Sequence, residues 1–271
     1  MSTALTTPPM QVSGTTFGNV LRSEWTKVRS LRSTWWTVVA ALVVCIGLSV
    51  LIDWAIVANW DQASASDKAT FDPVNNSFNG VGLGQLAVAV LGVLVVSSEY
   101  STGGVRATFI AVPRRLLVVG AKAVVMAVLG LVVGLVIAFV CFLVGQAFFS
   151  TESVDVSLGD PGVLRAVIGA ALYVAGCGMF GLAVATLLRQ TAGSITAVVA
   201  LLFVLPLLTL AIPGSLGDTV TEYFTANAGQ AVTYVRTPDG TLAPWAGYAV
   251  FTVEWLVLLV LGALLVRRRD T

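Results

Sequence analysis

The sequence predicts an all-α integral membrane protein with six transmembrane helices. Of its 271 residues, 57% are hydrophobic and only 11% are charged, whereas charges fill about a quarter of the positions in soluble domains. Six apolar runs each reach the roughly 20 residues that a helix needs to cross a membrane. The runs are continuous and do not alternate as barrel strands do, so helices must satisfy their backbone groups in lipid. The six spans are expected near residues 34–57, 80–97, 117–145, 162–188, 193–212 and 245–266.

Residues 1–16, MSTALTTPPMQVSGTT, are polar and lack the apolar centre of a signal peptide. We expect them to form a disordered tail. Residues 17–271 are then expected to form a single transmembrane domain, whose first span directs insertion.

An amphipathic helix is predicted before the first span, in FGNVLRSEWTKVRSLRSTWW, residues 17–36. Apolar residues, Trp25 among them, recur at spacings of three and four, while Lys27 and Arg29 lie mostly on the other face. Such a helix lies in the membrane interface, in contact with lipid. Two interpretations stay open: an anchor held by positive charge, or a lever that also touches a cytoplasmic partner.

The basic residues predict the orientation, because loops rich in Lys and Arg stay in the cytoplasm. One side holds 12 of the 15, and the other side holds only Lys68, Arg165 and Arg236. An even number of spans then places both termini in the cytoplasm. The acids lie at or beyond the opposite face: Asp53, Asp61, Asp67, Asp72, Glu152, Asp155, Asp160, Asp218, Glu222 and Asp239.

The stretch SSEYSTGGVRATFIAVPRR, residues 97–115, therefore becomes a cytoplasmic loop between spans two and three. Gly103 and Gly104 end span two, and Val105, Phe109 and Val112 follow at helical spacing before Pro113. This pattern predicts a short helix at the membrane surface to which a soluble protein could bind. We assign Arg114 and Arg115 mainly to topology and lipid contact.

Several kinds of chemistry are excluded by composition. The chain has no His, which removes the commonest general base and metal ligand. None of Lys27, Lys68 and Lys122 lies in the Gly-Lys-Ser/Thr of a phosphate-binding loop. We therefore expect no catalytic centre, no cofactor or metal on this chain, and no nucleic-acid partner, which leaves transport or membrane scaffolding.

Weaker patterns complete the prediction. Pro206 should kink span five, and the three Cys should be buried hydrophobes. Gly130 and Gly134 predict close helix packing within the subunit. The segment from Pro213 to Pro244 is too apolar for a free loop, so a re-entrant hairpin is expected before span six.

Residues 98–122, SEYSTGGVRATFIAVPRRLLVVGAK, resemble a segment of ABC-2-type transporter permeases, especially actinobacterial ones. SEWTKVRSLRSTWWT, NAGQAV and the RRRD tail are also similar to that family. The resemblance implies two permeases in the bacterial cytoplasmic membrane, identical or related, paired with two separate ATPase subunits that bind ATP and Mg. The loop after span two would be the coupling helix, with Glu99, Gly103, Arg106 and Phe109 as its contact residues.

Glu254 departs from the family pattern, because this position about midway along span six more often holds an uncharged residue. A charged group there is costly, so it is either a structural carboxyl or a group that lines the cargo path and favours a cationic cargo. The leading function is the membrane subunit of an ATP-driven exporter. A secondary transporter should show repeated halves and several midplane ionisable residues, and a non-transporting scaffold also stays open. No residue identifies the cargo.

Overall fold

The computed structural model describes residues 16–268, and all regular secondary structure in that range is helical. The predicted tail up to residue 15 and the last residues of the RRRD tail lie outside the described residues. Within 16–268, six helices are long and apolar enough to cross a membrane. They coincide with the six predicted spans to within a few residues at each end.

The chain enters the membrane through two helices in succession. Helix α1, Phe17–Ser30, begins at Thr16, whose hydroxyl accepts a hydrogen bond from the Asn19 amide at 3.4 Å. Leu31 is extended and separates α1 from α2, Arg32–Ala58. The predicted amphipathic segment is therefore shorter than expected, and its last tryptophans belong to the first transmembrane helix.

Two short helices lie between the first and second spans. Helix α3, Ala65–Thr70, is capped by Ser64, and α4, Pro73–Ser77, is capped by Asp72. The second span, α5, is Asn79–Ser101 and packs against both α2 and α8, the fourth span described below.

A short helix, α6, Gly104–Ala111, follows span two where the sequence predicts one, while its place at the cytoplasmic surface stays a prediction. Gly103 adopts φ 72°, a left-handed conformation that suits glycine because it has no side chain. The helix ends before Pro113, and the third span, α7, Arg115–Phe149, follows. The glycine and the proline thus separate α6 from both neighbouring spans.

Helix α8, Val163–Leu188, is the centre of the bundle, since α5, α7 and later α13 all pack against it. Small residues allow this close packing. Gly134 of α7 lies against the Ala171 carbonyl, so a methyl group at Gly134 would collide with the α8 backbone. The glycine pair of α7 therefore packs within the chain, as predicted.

The fifth span consists of α9, Thr191–Val199, a π-helical turn at Ala200–Val204, and α10, Leu205–Thr209. Pro206 is the second residue after the π turn. Proline cannot donate the backbone hydrogen bond of a regular helix, so the irregular turn lies where the sequence predicts a kink.

Two further helices precede the last span. These are α11, Gly214–Tyr223, and α12, Thr225–Gln230. The last span, α13, Pro244–Arg268, covers α12 and α8. Helix α12 is largely buried, and Gly229 lies beside the Tyr173 ring. The segment is packed into the bundle, while its re-entry into the membrane stays a prediction.

Side-chain burial confirms one sequence expectation and shows a buried acid. Cys45, Cys141 and Cys177 are all free and buried, as predicted. Asp53 lies near the end of α2 with a fully buried side chain, and its place at the outer face stays a prediction. Among residues 16–268 neither of its carboxylate oxygens has a hydrogen-bond partner.

Candidate functional site

Four charged residues meet where α1, α5 and α7 come together, and we call Glu24, Lys27, Glu99 and Lys122 the ion cluster. The Lys122 ammonium lies 2.7 Å from Glu24 Oε2 and 2.7 Å from Glu99 Oε1. The Lys27 ammonium lies 2.6 Å from Glu24 Oε1 and 2.8 Å from the same Glu99 oxygen. Each lysine contacts both acids, so the four side chains close a ring with no net charge.

Helical spacing explains how each residue reaches the cluster. Glu24 lies between Val20 and Val28, at intervals of four, and these three residues form the buried face of α1 against α7. Lys122 lies one turn after Val118, which packs with Val20. The apolar contacts therefore bring α1 and α7 together, and the charges meet between them.

Burial makes the pairing necessary. Glu24 is 3% exposed and Lys122 is 6% exposed, and an isolated buried charge is strongly unfavourable. Burial alone would lower the pKa of Lys27, but hydrogen bonds and charge attraction from Glu24 and Glu99 outweigh it and raise the pKa above its usual range. Each charge is therefore stabilised only while its partners are present.

The ion cluster also contacts the short helix α6. The Lys27 ammonium donates to Thr108 Oγ1 at 3.4 Å, and Thr108 in turn donates to the Gly104 carbonyl at 3.2 Å. Lys122 donates to the Val95 carbonyl on α5 at 3.3 Å. A displacement of α6 would therefore reach α1 through Lys27.

One face of α6 points inward. Val105 is buried, and Phe109 packs beside the apolar group formed by Val20, Val118 and Ala121. The Arg115 guanidinium lies 5.2 Å from the centre of the Phe109 ring. Phe109 therefore fixes α6 to the bundle.

Arg115 also donates to the Val266 carbonyl at 3.1 Å, which links the start of α7 to the end of α13. We assigned this arginine mainly to topology and lipid contact, and that assignment is incomplete, because its side chain makes these contacts inside the protein. Arg114 is exposed, in agreement with a surface position.

The other face of α6 is open. Arg106 and Ala107 are exposed, and Ile110 is 82% exposed. Arg106 was predicted from sequence and Ile110 was not, because the apolar spacing of Val105, Phe109 and Val112 marks the opposite face. Ile110 follows Arg106 by four positions, so the two share a face, and that spacing was readable from the sequence. We call Arg106, Ala107 and Ile110 the open face of α6.

The remaining predicted residues are spread over the molecule. Glu99 was expected to contact a partner, but its carboxylate is engaged in the ion cluster. Trp25 and Arg29 on α1 are exposed, while Lys27 turns inward. Glu254 is half-buried on α13, and among residues 16–268 its Oε2 has no hydrogen-bond partner. The structure thus joins Lys27 with Glu99 and leaves Glu254 outside that group.

No metal centre is visible in the part of the chain that the structure describes, where no three His, Cys, Asp or Glu residues group together. The site consists of ion pairs beside a surface helix. Such an arrangement can transmit a mechanical displacement.

Comparison with known proteins gave one family. The model of the family described as ABC-2 family transporter protein matches residues 20–207, which is more than half of the chain. The match includes the ion cluster and α6, and it leaves the actinobacterial lineage a prediction. No match was found among curated proteins.

Proposed function

The chain belongs to the ABC-2 family of transporter membrane proteins, and on that premise we propose that it is the permease subunit of an ATP-driven exporter. It would move a cargo outward across the bacterial cytoplasmic membrane. Two copies, identical or related, would pair with separate ABC ATPase subunits, since none of the chain's lysines lies in a phosphate-binding loop.

The observation that carries this proposal is the open face of α6. A helix of eight residues stands between two spans, fixed from inside by Val105 and Phe109 and presenting Arg106 and Ile110 outward. A charged side chain beside an exposed branched apolar one is a combination that protein interfaces use. A loop that served only topology would need the arginines alone.

We assign each candidate residue a part in coupling. Arg106 and Ile110 would contact the ATPase, Gly103 would allow the turn into α6, and Phe109 would hold α6 to the bundle. Glu99 would act within the protein, by holding Lys27 and Lys122. A movement of α6 would then pass through the ion cluster to α1 and α7.

The orientation belongs to the same proposal. The ion cluster, the open face of α6 and most Lys and Arg would lie at the cytoplasmic side, with both termini. Trp25 and Arg29 on the exposed side of α1 would contact lipid at that interface. Glu254 would line the cargo path, because one of its oxygens is buried without a partner among the described residues.

The test begins with the protein that co-purifies with this chain in mild detergent, which is expected to be an ABC ATPase. The Arg106→Ala and Ile110→Ser variants should retain the melting temperature of the unmodified protein and lose most of the bound ATPase. Leu116→Ser is the matched control, because Leu116 is also apolar and exposed at the start of α7. It should retain the ATPase.

The complex is then reconstituted and its ATP hydrolysis is measured with and without the variants. Coupled hydrolysis should fall by at least about tenfold for Arg106→Ala, since one charged interface contact is worth about 2 kcal/mol or more. Recovery of no ATPase, or a folded Arg106→Ala/Ile110→Ser double variant that couples like the unmodified complex, would overturn the proposal. Absence of any nucleotide-dependent change would favour a scaffold.

A further inference from the structure

A polar recess lies at the end of the bundle opposite the ion cluster. It is formed where α5 begins, where α8 passes, and where the chain leaves α12. Asn79 begins α5, so it is about 30 Å along that helix from Glu99, at about 1.5 Å per residue. The polar residues that line the recess are Asn75, Asn79, Tyr173, Gln230, Thr233 and Tyr234.

The recess is large enough for a small molecule. Its volume is about 230 Å³, and one liquid water occupies roughly 30 Å³. A single sugar ring fits in such a space. The apolar part of the lining includes Phe78 and Val81, which would contact the C–H face of a ring.

Several hydrogen-bonding groups of the lining are unused. Among residues 16–268, the half-buried Asn75 side-chain amide and Tyr234 hydroxyl have no hydrogen-bond partner within the protein. Gln230 uses its amide nitrogen, which donates to the Tyr173 hydroxyl at 3.3 Å, and its side-chain oxygen stays available. The recess therefore offers both donors and acceptors.

The lining carries no charged side chain. Asp72 is close to Tyr234, but its carboxylate accepts hydrogen bonds from the Val74 and Asn75 amides, at 3.0 and 3.1 Å. Arg165 is also occupied, since it donates to the Val232 and Tyr234 carbonyls. An ionic ligand would lose its hydration here without an ion pair to any side chain of the lining.

The recess is held in shape by buried contacts. The Tyr173 hydroxyl donates to the Gln85 side-chain oxygen, and both residues are almost completely buried. The two carbonyl bonds from Arg165 fix the segment that carries Tyr234. A preformed site loses less conformational entropy when a ligand binds.

We propose that the polar recess binds a neutral, hydroxyl-rich ring, that is, a hexose-type sugar. A hydroxyl group is both donor and acceptor, and so it matches the mixed and uncharged lining. The sugar could be free in solution or the headgroup of a glycolipid. The proposal concerns binding alone and holds whether or not the chain is an exporter.

The experiment uses the full chain extracted in styrene–maleic acid copolymer, because common detergents carry sugar headgroups. Binding of methyl α-D-glucoside is measured by saturation-transfer difference NMR, and binding of glucosyl diacylglycerol by native mass spectrometry. Signal in the first arm identifies a free sugar, and signal in the second arm alone identifies a glycolipid headgroup. Glucuronate and glucosamine are the charged probes and should bind much more weakly.

Asn75→Leu and Tyr234→Phe should each weaken binding about tenfold, as expected for one lost hydrogen bond that leaves a ligand group unpaired. Tyr234→Phe removes only an oxygen and keeps the fold. The matched control is Gln62→Leu, which removes an exposed amide outside the recess and should leave binding unchanged. No signal in either arm, equal binding of the charged probes, or unchanged binding by both recess variants would overturn the proposal.

Discussion

The Lys122 ammonium on α7 lies 2.7 Å from the Glu24 carboxylate on α1, although 98 residues separate them in the chain. This pair joins the helix that precedes the first span to the third span. Both side chains are almost fully buried, so water cannot solvate either charge if the pair is broken. The attachment of α1 to the bundle therefore depends on charge pairing as well as on the apolar contact of Val20 with Val118.

Lys122→Met should be strongly destabilising, because it leaves Glu24 buried and Glu99 short of a partner. Breaking a buried ion pair from one side costs about 3 to 5 kcal/mol. The free energy of unfolding, measured by denaturant titration in mixed micelles, should fall by about that amount.

The matched control is the double variant Glu24→Gln/Lys122→Met, which removes both charges of the pair. It should recover a large part of the lost stability, since no uncompensated charge is left between α1 and α7. If the double variant loses as much free energy of unfolding as Glu24→Gln and Lys122→Met lose in sum, the two residues act independently.

Lys27 predicts a loss of stability at alkaline pH. Because its pKa is raised in the folded protein, its contribution is fully present below its ordinary pKa of 10.5 and is lost as pH rises through the folded value. The melting temperature should fall above about pH 10.5, and Lys27→Met should make that fall less steep.

Tyr234 is the comparison group for this measurement. Burial raises the pKa of its hydroxyl, with a smaller effect from Asp72, so it also contributes stability that is lost at alkaline pH. Tyr234→Phe and Lys27→Met should therefore flatten the alkaline fall independently. An identical alkaline fall in the unmodified protein and the Lys27→Met variant would contradict the role given to Lys27.

Arg115 and Arg114 should differ in stability although they are adjacent and identical in type. Arg115→Ala loses the contact with the Phe109 ring and the hydrogen bond to Val266, together worth about 1 to 2 kcal/mol. Arg114→Ala should change the melting temperature little, since Arg114 is exposed. Equal effects in a thermal unfolding assay would argue against the internal role of Arg115.

The orientation can be measured by single cysteines at exposed positions. Ser66→Cys, Asp155→Cys and Asp218→Cys should react with a membrane-impermeant thiol reagent from outside the cell, and Thr102→Cys and Gln190→Cys should not. The native Cys45, Cys141 and Cys177 are fully buried and should give little background. A reversed pattern at two or more sites would place α6 outside and remove its access to an ATPase.

Glu254→Gln separates a transport role from a structural one. If Glu254 lines the cargo path, the variant should assemble normally and change the rate or selectivity of transport in reconstituted vesicles, because the charge is lost and the shape is kept. Loss of assembly with unchanged transport by the remaining complexes would assign Glu254 to structure.

Much of the architecture was predictable because it depends on local patterns. Continuous apolar runs predicted the six long helices, and the glycines with Pro113 predicted α6. The burial of the three cysteines also followed from their positions within spans. In each case the deciding information lies within one span or loop of the sequence, roughly 20 residues.

The ion cluster was not predictable for the opposite reason. Glu24 lies in a basic segment, and its sequence context predicts an acid at the protein surface. The context of its partner Lys122 predicts one more positive charge beside the membrane. Only the packing of Val20 and Val28 against α7 turns Glu24 inward. The burial of Asp53 was not predictable either, since it depends on helices distant in sequence.

The ion cluster also imposes an order on synthesis. At about 5 to 20 residues per second, the ribosome adds Lys122 roughly 5 to 20 seconds after Glu24, since it stands 98 positions later in the chain. Until then Glu24 has only one of its two ion-pair partners, Lys27, and α1 cannot be fixed to the third span. The first two spans are therefore synthesised before α1 can be attached to the bundle. The ion pair between Glu24 and Lys122 forms only when the third span is made.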